Sequence, residues 1–169
     1  MDGRKQQDGM KKTTMQLLIG LVVAAAAVAD GFIVTGEVYC DPCRAGFKTN
    51  VSTAVGGAAV KLECRPFLNG PESLKADATT NAFGWYRLEV DQDFQEDICE
   101  VMLVKSPDPA CSEVDKFRDR ARIPLTKNDG IKQNGVRYGN PIAFLRKEPL
   151  KECGAILQQY DLKDAPETP

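Results

Sequence analysis

A chain of 169 residues with no histidine has room for one domain. It lacks the side chain on which most hydrolytic triads and many zinc sites depend. Its 22 Lys and Arg are outnumbered by 24 Asp and Glu, for a net charge of -2, which argues against the basic surface that nucleic acids select.

The first segment reads as a leader. Arg4, Lys5, Lys11 and Lys12 precede an apolar run over residues 17–28, and Ala27-Val28-Ala29 supplies the small residues a signal peptidase requires. A signal peptide over 1–29, cleaved after Ala29, is expected. A retained anchor is the alternative, although the run is short for a bilayer span. The start codon is left open between Met1, Met10 and Met15. The leader holds four basic and two acidic residues, so the remainder carries 18 against 22, a net charge of -4. Neither nucleic acid nor, after signal removal, a membrane is an expected partner.

The strand signals begin at Phe32. Phe32, Val34, Gly36 and Val38 alternate with Ile33, Thr35, Glu37 and Tyr39, the period of a half-buried strand. Asp41-Pro42 ends the pattern, because proline brings no N–H to a ladder. Cysteines stand on either side of it, at Cys40 and Cys43. A redox Cys-x-x-Cys belongs at a helix N-terminus in a βαβ unit, whereas this pair follows an alternating strand. A zinc site needs four ligands, and no second close pair faces this one. A nucleophilic cysteine needs a base. Structural disulfides fit best. The cysteines, with Cys64, Cys99, Cys111 and Cys153, are six, an even number that signals a disulfide framework in an oxidising compartment. Six allow 15 pairings.

Asn50-Val51-Ser52 is an N-glycosylation sequon in a polar connection. Gly56-Gly57 marks a turn. From Ala58 to Arg65 the chain alternates again, with Ala58, Val60, Leu62 and Cys64 on one face, and Pro66 ends it. A short strand at residues 76–80 leads through Asn81-Ala82-Phe83-Gly84 into Trp85–Val90, with Tyr86, Leu88 and Val90 inward and Trp85, Arg87 and Glu89 outward. Strand, Asn/Gly turn and aromatic strand together predict a hairpin. The acidic residues Asp91, Asp93, Glu96 and Asp97 lack the spacing and glycine of a calcium loop, so a solvated loop is expected.

Ile98 to Lys105 is a further strand, with Cys99, Val101 and Leu103 sharing a face. If that strand neighbours the one ending in Cys64, a Cys64–Cys99 bond is plausible. Ser106-Pro107-Asp108-Pro109 turns into Cys111. Residues 114–122 mix Asp115, Lys116, Arg118, Asp119, Arg120 and Arg122 and read as a solvated edge or loop. Lys127-Asn128-Asp129-Gly130 and Asn134-Gly135 are turns. Residues 141–146 hold the last strand, with Ile142 and Phe144 opposite Ala143 and Leu145. The polar end, residues 163–169, reads as a frayed tail. Short strands with turns every 8–12 residues predict an all-β, disulfide-bonded sandwich or barrel over residues 30–162.

The stretch Thr35-Gly36-Glu37-Val38-Tyr39-Cys40-Asp41-Pro42-Cys43-Arg44 resembles the signature of the olive-pollen major allergen family, the Ole e I-like or pollen allergen and extensin proteins. The resemblance extends through all six cysteines, and Phe47 also suits it. It implies disulfides Cys40–Cys111, Cys43–Cys153 and Cys64–Cys99 and a secreted plant protein, often N-glycosylated. Residues 58–90 also resemble a transthyretin-like sandwich, and an Ig-like architecture is the related option. The family brings no catalytic residues. The resemblance implies a non-enzymatic protein of the extracellular space, the plant apoplast or cell wall, with no cofactor and no metal. Its expected role is in pollen hydration, germination or tube growth, with a wall polymer or surface receptor as partner.

Tyr39, Trp85 and Arg87, taken as exposed, form the candidate binding face, since aromatic and Arg side chains anchor interfaces. Two other activities are conceivable. A carboxylate-based glycoside hydrolase needs no histidine, but no acidic pair stands out. A protease inhibitor could present Arg44 or the Pro107 loop as a rigid segment.

Overall fold

The computed structural model describes residues 31–116, 118–130 and 135–160. The expected signal peptide (1–29) and tail (163–169) lie outside the described residues.

Among the described residues ten strands and one short helix follow in order: β1 (Phe32–Asp41), β2 (Thr53–Ala54), β3 (Ala59–Pro66), β4 (Leu74–Thr79), β5 (Trp85–Val90), β6 (Asp97–Lys105), β7 (Cys111–Glu113), β8 (Arg120–Arg122), β9 (Val136–Tyr138), β10 (Ile142–Arg146) and α1 (Cys153–Gln158). They form two sheets. β1 runs through the centre of the first. Its first half pairs with antiparallel β5, from Phe32↔Val90 to Glu37↔Trp85, and on its other side with parallel β9. Its second half pairs with β2 and with parallel β10, which β7 flanks. The second sheet has the order β4-β3-β6-β8 and is antiparallel throughout.

Alternation explains the core. Phe32, Val34 and Val38 of β1, Tyr86, Leu88 and Val90 of β5, and Ile142 and Phe144 of β10 turn inward from the first sheet. They meet Val60, Leu62 and Cys64 of β3 and Cys99, Val101 and Leu103 of β6. The result is the expected all-β, disulfide-bonded arrangement.

The expected hairpin takes a different form. β4 pairs with β3 and β5 with β1, so residues 80–84 carry the chain from one sheet to the other. The local chemistry explains why. The Thr80 hydroxyl accepts from Ala58 N at 2.8 Å and donates to Val55 O at 2.6 Å, which finishes β4 on its β3 partner. The Asn81 side chain then accepts from the amides of Phe83 and Trp85. Gly84, at φ +79°, lies so close to Val38 O that a Cβ would collide with it, and its own carbonyl accepts from Val38 N at 2.8 Å. The turn is real, but its far side is welded to β1.

Candidate functional site

The cysteine turn is built around a buried carboxylate. Asp41 has no exposed surface. Its oxygens accept from Cys43 N at 3.1 Å and Gly46 N at 2.7 Å, an Asx-type brace on the turn that Pro42 begins. The two cysteines of the Cys-x-x-Cys bond outward to different partners. Cys40 joins Cys111, and Cys43 joins Cys153 across 110 residues of sequence. Cys64 joins Cys99 between the neighbouring strands β3 and β6. The Cys43–Cys153 bond anchors α1, and with Ile156, Val51, Leu150 and Leu157 it forms a second small apolar cluster. Arg44 does not project as a scissile residue would. Its guanidinium is held by Glu113 at 2.5 Å and Arg146 O at 2.8 Å.

Trp85, Arg87 and Tyr39 all lie on the outer face of the first sheet, but only two are exposed. Trp85 is 42% exposed, and Arg87 pairs with its neighbour Glu89 at 2.9 Å. Tyr39 corrects the expectation: it is 4% exposed. Strand alternation does aim it outward. However, the chain after the cysteine turn folds back over it, and Lys48 closes the cover. The Lys48 ammonium lies 6.0 Å from the Tyr39 ring centroid and 2.6 Å from Glu37.

Tyr138 on β9 is 64% exposed and belongs to the same face. The register sets Arg87, Thr35 and Tyr138 side by side across β5, β1 and β9, with Trp85 beside Glu37 one step along. Strand spacing and rise then put Trp85 and Tyr138 about 12 Å apart at Cα. Between them runs a polar strip. A pair of aromatic rings flanking polar groups presents apolar area and directional bonds together.

The outer face of the second sheet is a contrast. Glu63 takes Lys61 at 2.7 Å and Arg65 at 3.0 Å, and Arg120 takes Asp119 at 2.7 Å and Glu100 at 3.3 Å. The hydrogen bond from Lys61 holds the Glu63 carboxyl below its ordinary range. These charges satisfy one another.

Where residues 115–120 pass beside the outward side of β1 and β10 there is a cleft of about 470 Å³, lined by Tyr39, Asp41, Gly46, Asp115, Arg118, Pro141, Ala143 and Leu145, with Arg120 of the second sheet's edge strand β8 at its margin. Burial first, and the Asp41 carboxylate second, push the Tyr39 phenol above its usual pKa, so it stays a neutral donor. Asn50 is exposed on the loop beside α1, where its backbone N–H donates to the Tyr160 hydroxyl at 3.1 Å. Among the described residues, no three His, Cys, Asp or Glu side chains are grouped as metal ligands.

A braced cysteine turn, three long-range disulfides and two packed sheets define a disulfide-stapled β-domain whose distinctive surface is the outer face of its first sheet. The profile of the family described as "Pollen protein Ole e 1 like" matches residues 30–161, and the chain belongs to that family. It is 70% identical over 139 residues to Pollen allergen Phl p 11 of Phleum pratense, covering 82% of this chain and 97% of that one. It is 46% identical over 150 residues to Pollen allergen Cro s 1 of Crocus sativus, covering 87% of this chain and 89% of the relative. Among solved structures it resembles the major plantain pollen allergen Pla l 1, with a TM-score of 0.64 and 31% identity over 71% of this chain and 97% of that one.

Proposed function

We propose that this protein is a secreted, non-enzymatic glycoprotein of the pollen extracellular space that binds a cell-wall polysaccharide through the outer face of β5, β1 and β9. The role proposed for it is in pollen hydration, germination or tube growth. One observation carries the reading: Trp85 and Tyr138 stand exposed on either side of Thr35 and Glu37 of β1, with Arg87 beside Trp85 on β5. Aromatic rings cover the apolar faces of sugar rings, while planar polar side chains bond their hydroxyls. The disulfides and the family support export, since such bonds persist in oxidising compartments. Asn50 is the proposed glycan site.

Affinity electrophoresis of the secreted protein in gels containing wall polysaccharides tests the reading. Retardation by at least one polymer, abolished in a Trp85→Ala/Tyr138→Ala double variant of unchanged melting temperature, is expected. Binding that survives the double change removes this face from the function. Absence of any retardation, with capture of a membrane receptor instead, moves the function to a protein partner.

A further inference from the structure

The cleft beside Tyr39 holds two cations and two carboxylates, and their commitments differ. Asp41 spends both oxygens on the amides of Cys43 and Gly46. Arg120 spends its fork on Asp119 and reaches Glu100 with a further N–H. Asp115 belongs to the same wall, and its backbone carbonyl accepts from Arg118 N at 2.9 Å. Arg118 is different. Among the described residues its guanidinium makes one long contact, to Ala45 O at 3.5 Å, and no ion pair within 4.0 Å. It lies directly over the α-carbon of Gly46, where any Cβ would coincide with it. Gly46 also sits at φ +80°, a conformation that itself disfavours a side chain there.

The Tyr39 hydroxyl makes no hydrogen bond among the described residues and is a neutral donor. The donors the cleft offers a ligand are a guanidinium fork and a phenol. The complement of such a pair is a planar oxyanion, because an Arg fork matches a carboxylate with two parallel bonds. The cleft's own carboxylates offset its two cations, which disfavours a multiply charged phosphate or sulfate and suits a single carboxylate. The volume suits one sugar ring, with Pro141, Ala143 and Leu145 as its apolar wall.

We infer that this cleft is an acidic-sugar subsite, in which Arg118 and Tyr39 bind the carboxylate of a uronic acid residue. The inference rests on the polysaccharide reading above and narrows it to acidic wall polymers. The cleft and the Trp85–Tyr138 platform both lie along the outward side of β1, with the Lys48–Glu37 pair between them.

Isothermal titration of the mature secreted protein with a tetra-galacturonate, its methyl ester and a neutral cello-tetraose tests this. Tighter binding of the free acid than of the ester, by tenfold or more, is expected. The Arg118→Gln variant is expected to lose that preference, and Tyr39→Phe to weaken acid binding severalfold while leaving the ester unchanged. Equal affinity for acid and ester, or a preference that survives Arg118→Gln, overturns the subsite. If binding without acid preference remains sensitive to Trp85→Ala, the platform stands and the cleft falls. If acid preference depends on Arg118 but ignores Trp85→Ala, the platform falls and the cleft stands. If none of the three oligosaccharides binds, both fall.

Discussion

Replacing Tyr86 by Phe should stabilise this protein. Tyr86 is fully buried on β5 and its hydroxyl has no hydrogen-bond partner among the described residues. The phenol end lies over the α-carbons of Gly36 and Gly139, where a Cβ would overlap it. An unsatisfied buried hydroxyl costs about 1–3 kcal/mol of desolvation. Removing one oxygen from a tight site leaves a void of about 10 Å³, worth roughly 0.2 kcal/mol. The net expectation at pH 7 is a gain of about 1–2 kcal/mol, which for a domain of this size raises the melting temperature by roughly 3–5 °C per kcal/mol.

The same residue makes an alkaline prediction. Burial raises the Tyr86 pKa from 10.0 to about 12. The unfolded chain therefore releases this proton first as pH rises, so native stability falls between pH 10 and pH 12, by about 2–3 kcal/mol. Phe has no proton to lose. The gap between variant and wild type should widen across that window, while the lysines and other tyrosines cancel in the difference. Urea unfolding with intact disulfides, followed by circular dichroism at pH 7 to 11.5, reads both effects. A variant less stable than wild type by 1 kcal/mol or more at pH 7 refutes the reasoning, because the hydroxyl must then be bonded to something such as an enclosed water. A gap that does not widen refutes the pKa argument separately.

Two further perturbations address the framework. A Cys43→Ser/Cys153→Ser variant removes a cross-link spanning 110 residues, worth about 4–5 kcal/mol by loop entropy. It should lower the urea midpoint and open residues 150–160 to limited proteolysis, with β1 and β6 still protected from hydrogen exchange. Arg137 is buried on β9, lies over the Phe32 ring at 4.9 Å, donates hydrogen bonds to Pro124 O and Thr126 O, and forms an ion pair with Asp129. Arg137→Met strands those acceptors and should cost about 3–5 kcal/mol in the same denaturation assay. Arg137→Lys should recover only a fraction, because an ammonium cannot span three directions in a plane.

The long alternating strands were legible because burial on one face writes itself into a period of two. β1, β3, β5, β6 and β10 all show it. The residues that escaped are those where another force overrides alternation. β9 is three residues long, and its inward position is the charged Arg137, held by carbonyls rather than by apolar packing, so no hydrophobic pattern marks it. Tyr138 was missed with it. Tyr39 was aimed correctly but judged exposed, since period says which way a side chain points and not what loop later covers it. The hairpin was misread for a related reason: Asn81 to Gly84 carries genuine turn chemistry, yet turn residues do not say which sheet receives the next strand. α1, at six residues, is too short to establish a helical period, and its place is fixed by Cys153. Arg118 was hidden in a nearly neutral run of mixed charge, where only the fold separates its open fork from the committed Arg120.

The two outer faces explain why recognition is assigned to one side. Across β3, β6 and β8, Lys61, Glu63, Arg65, Glu100, Arg120 and Asp119 form a ladder of mutual ion pairs. A partner docking there must desolvate charges that already have counter-ions, and gains little in return. The ladder instead gives a charged surface that resists adventitious sheet association. On the opposite sheet Glu37 and Arg87 are ion-paired too, with Lys48 and Glu89, but the register brings Trp85 and Tyr138 into solvent and Arg118 has no ion pair among the described residues. Their groups lose less and gain more when a ligand arrives. The turn at Asp41 connects the two roles. Its buried carboxylate holds the backbone of Cys43 and Gly46, and through them both the disulfide that anchors α1 and the glycine surface on which Arg118 rests. The motif at residues 35–44 is thus both a staple of the fold and the base of the cleft, which joins the framework to the proposed binding surface at this one turn.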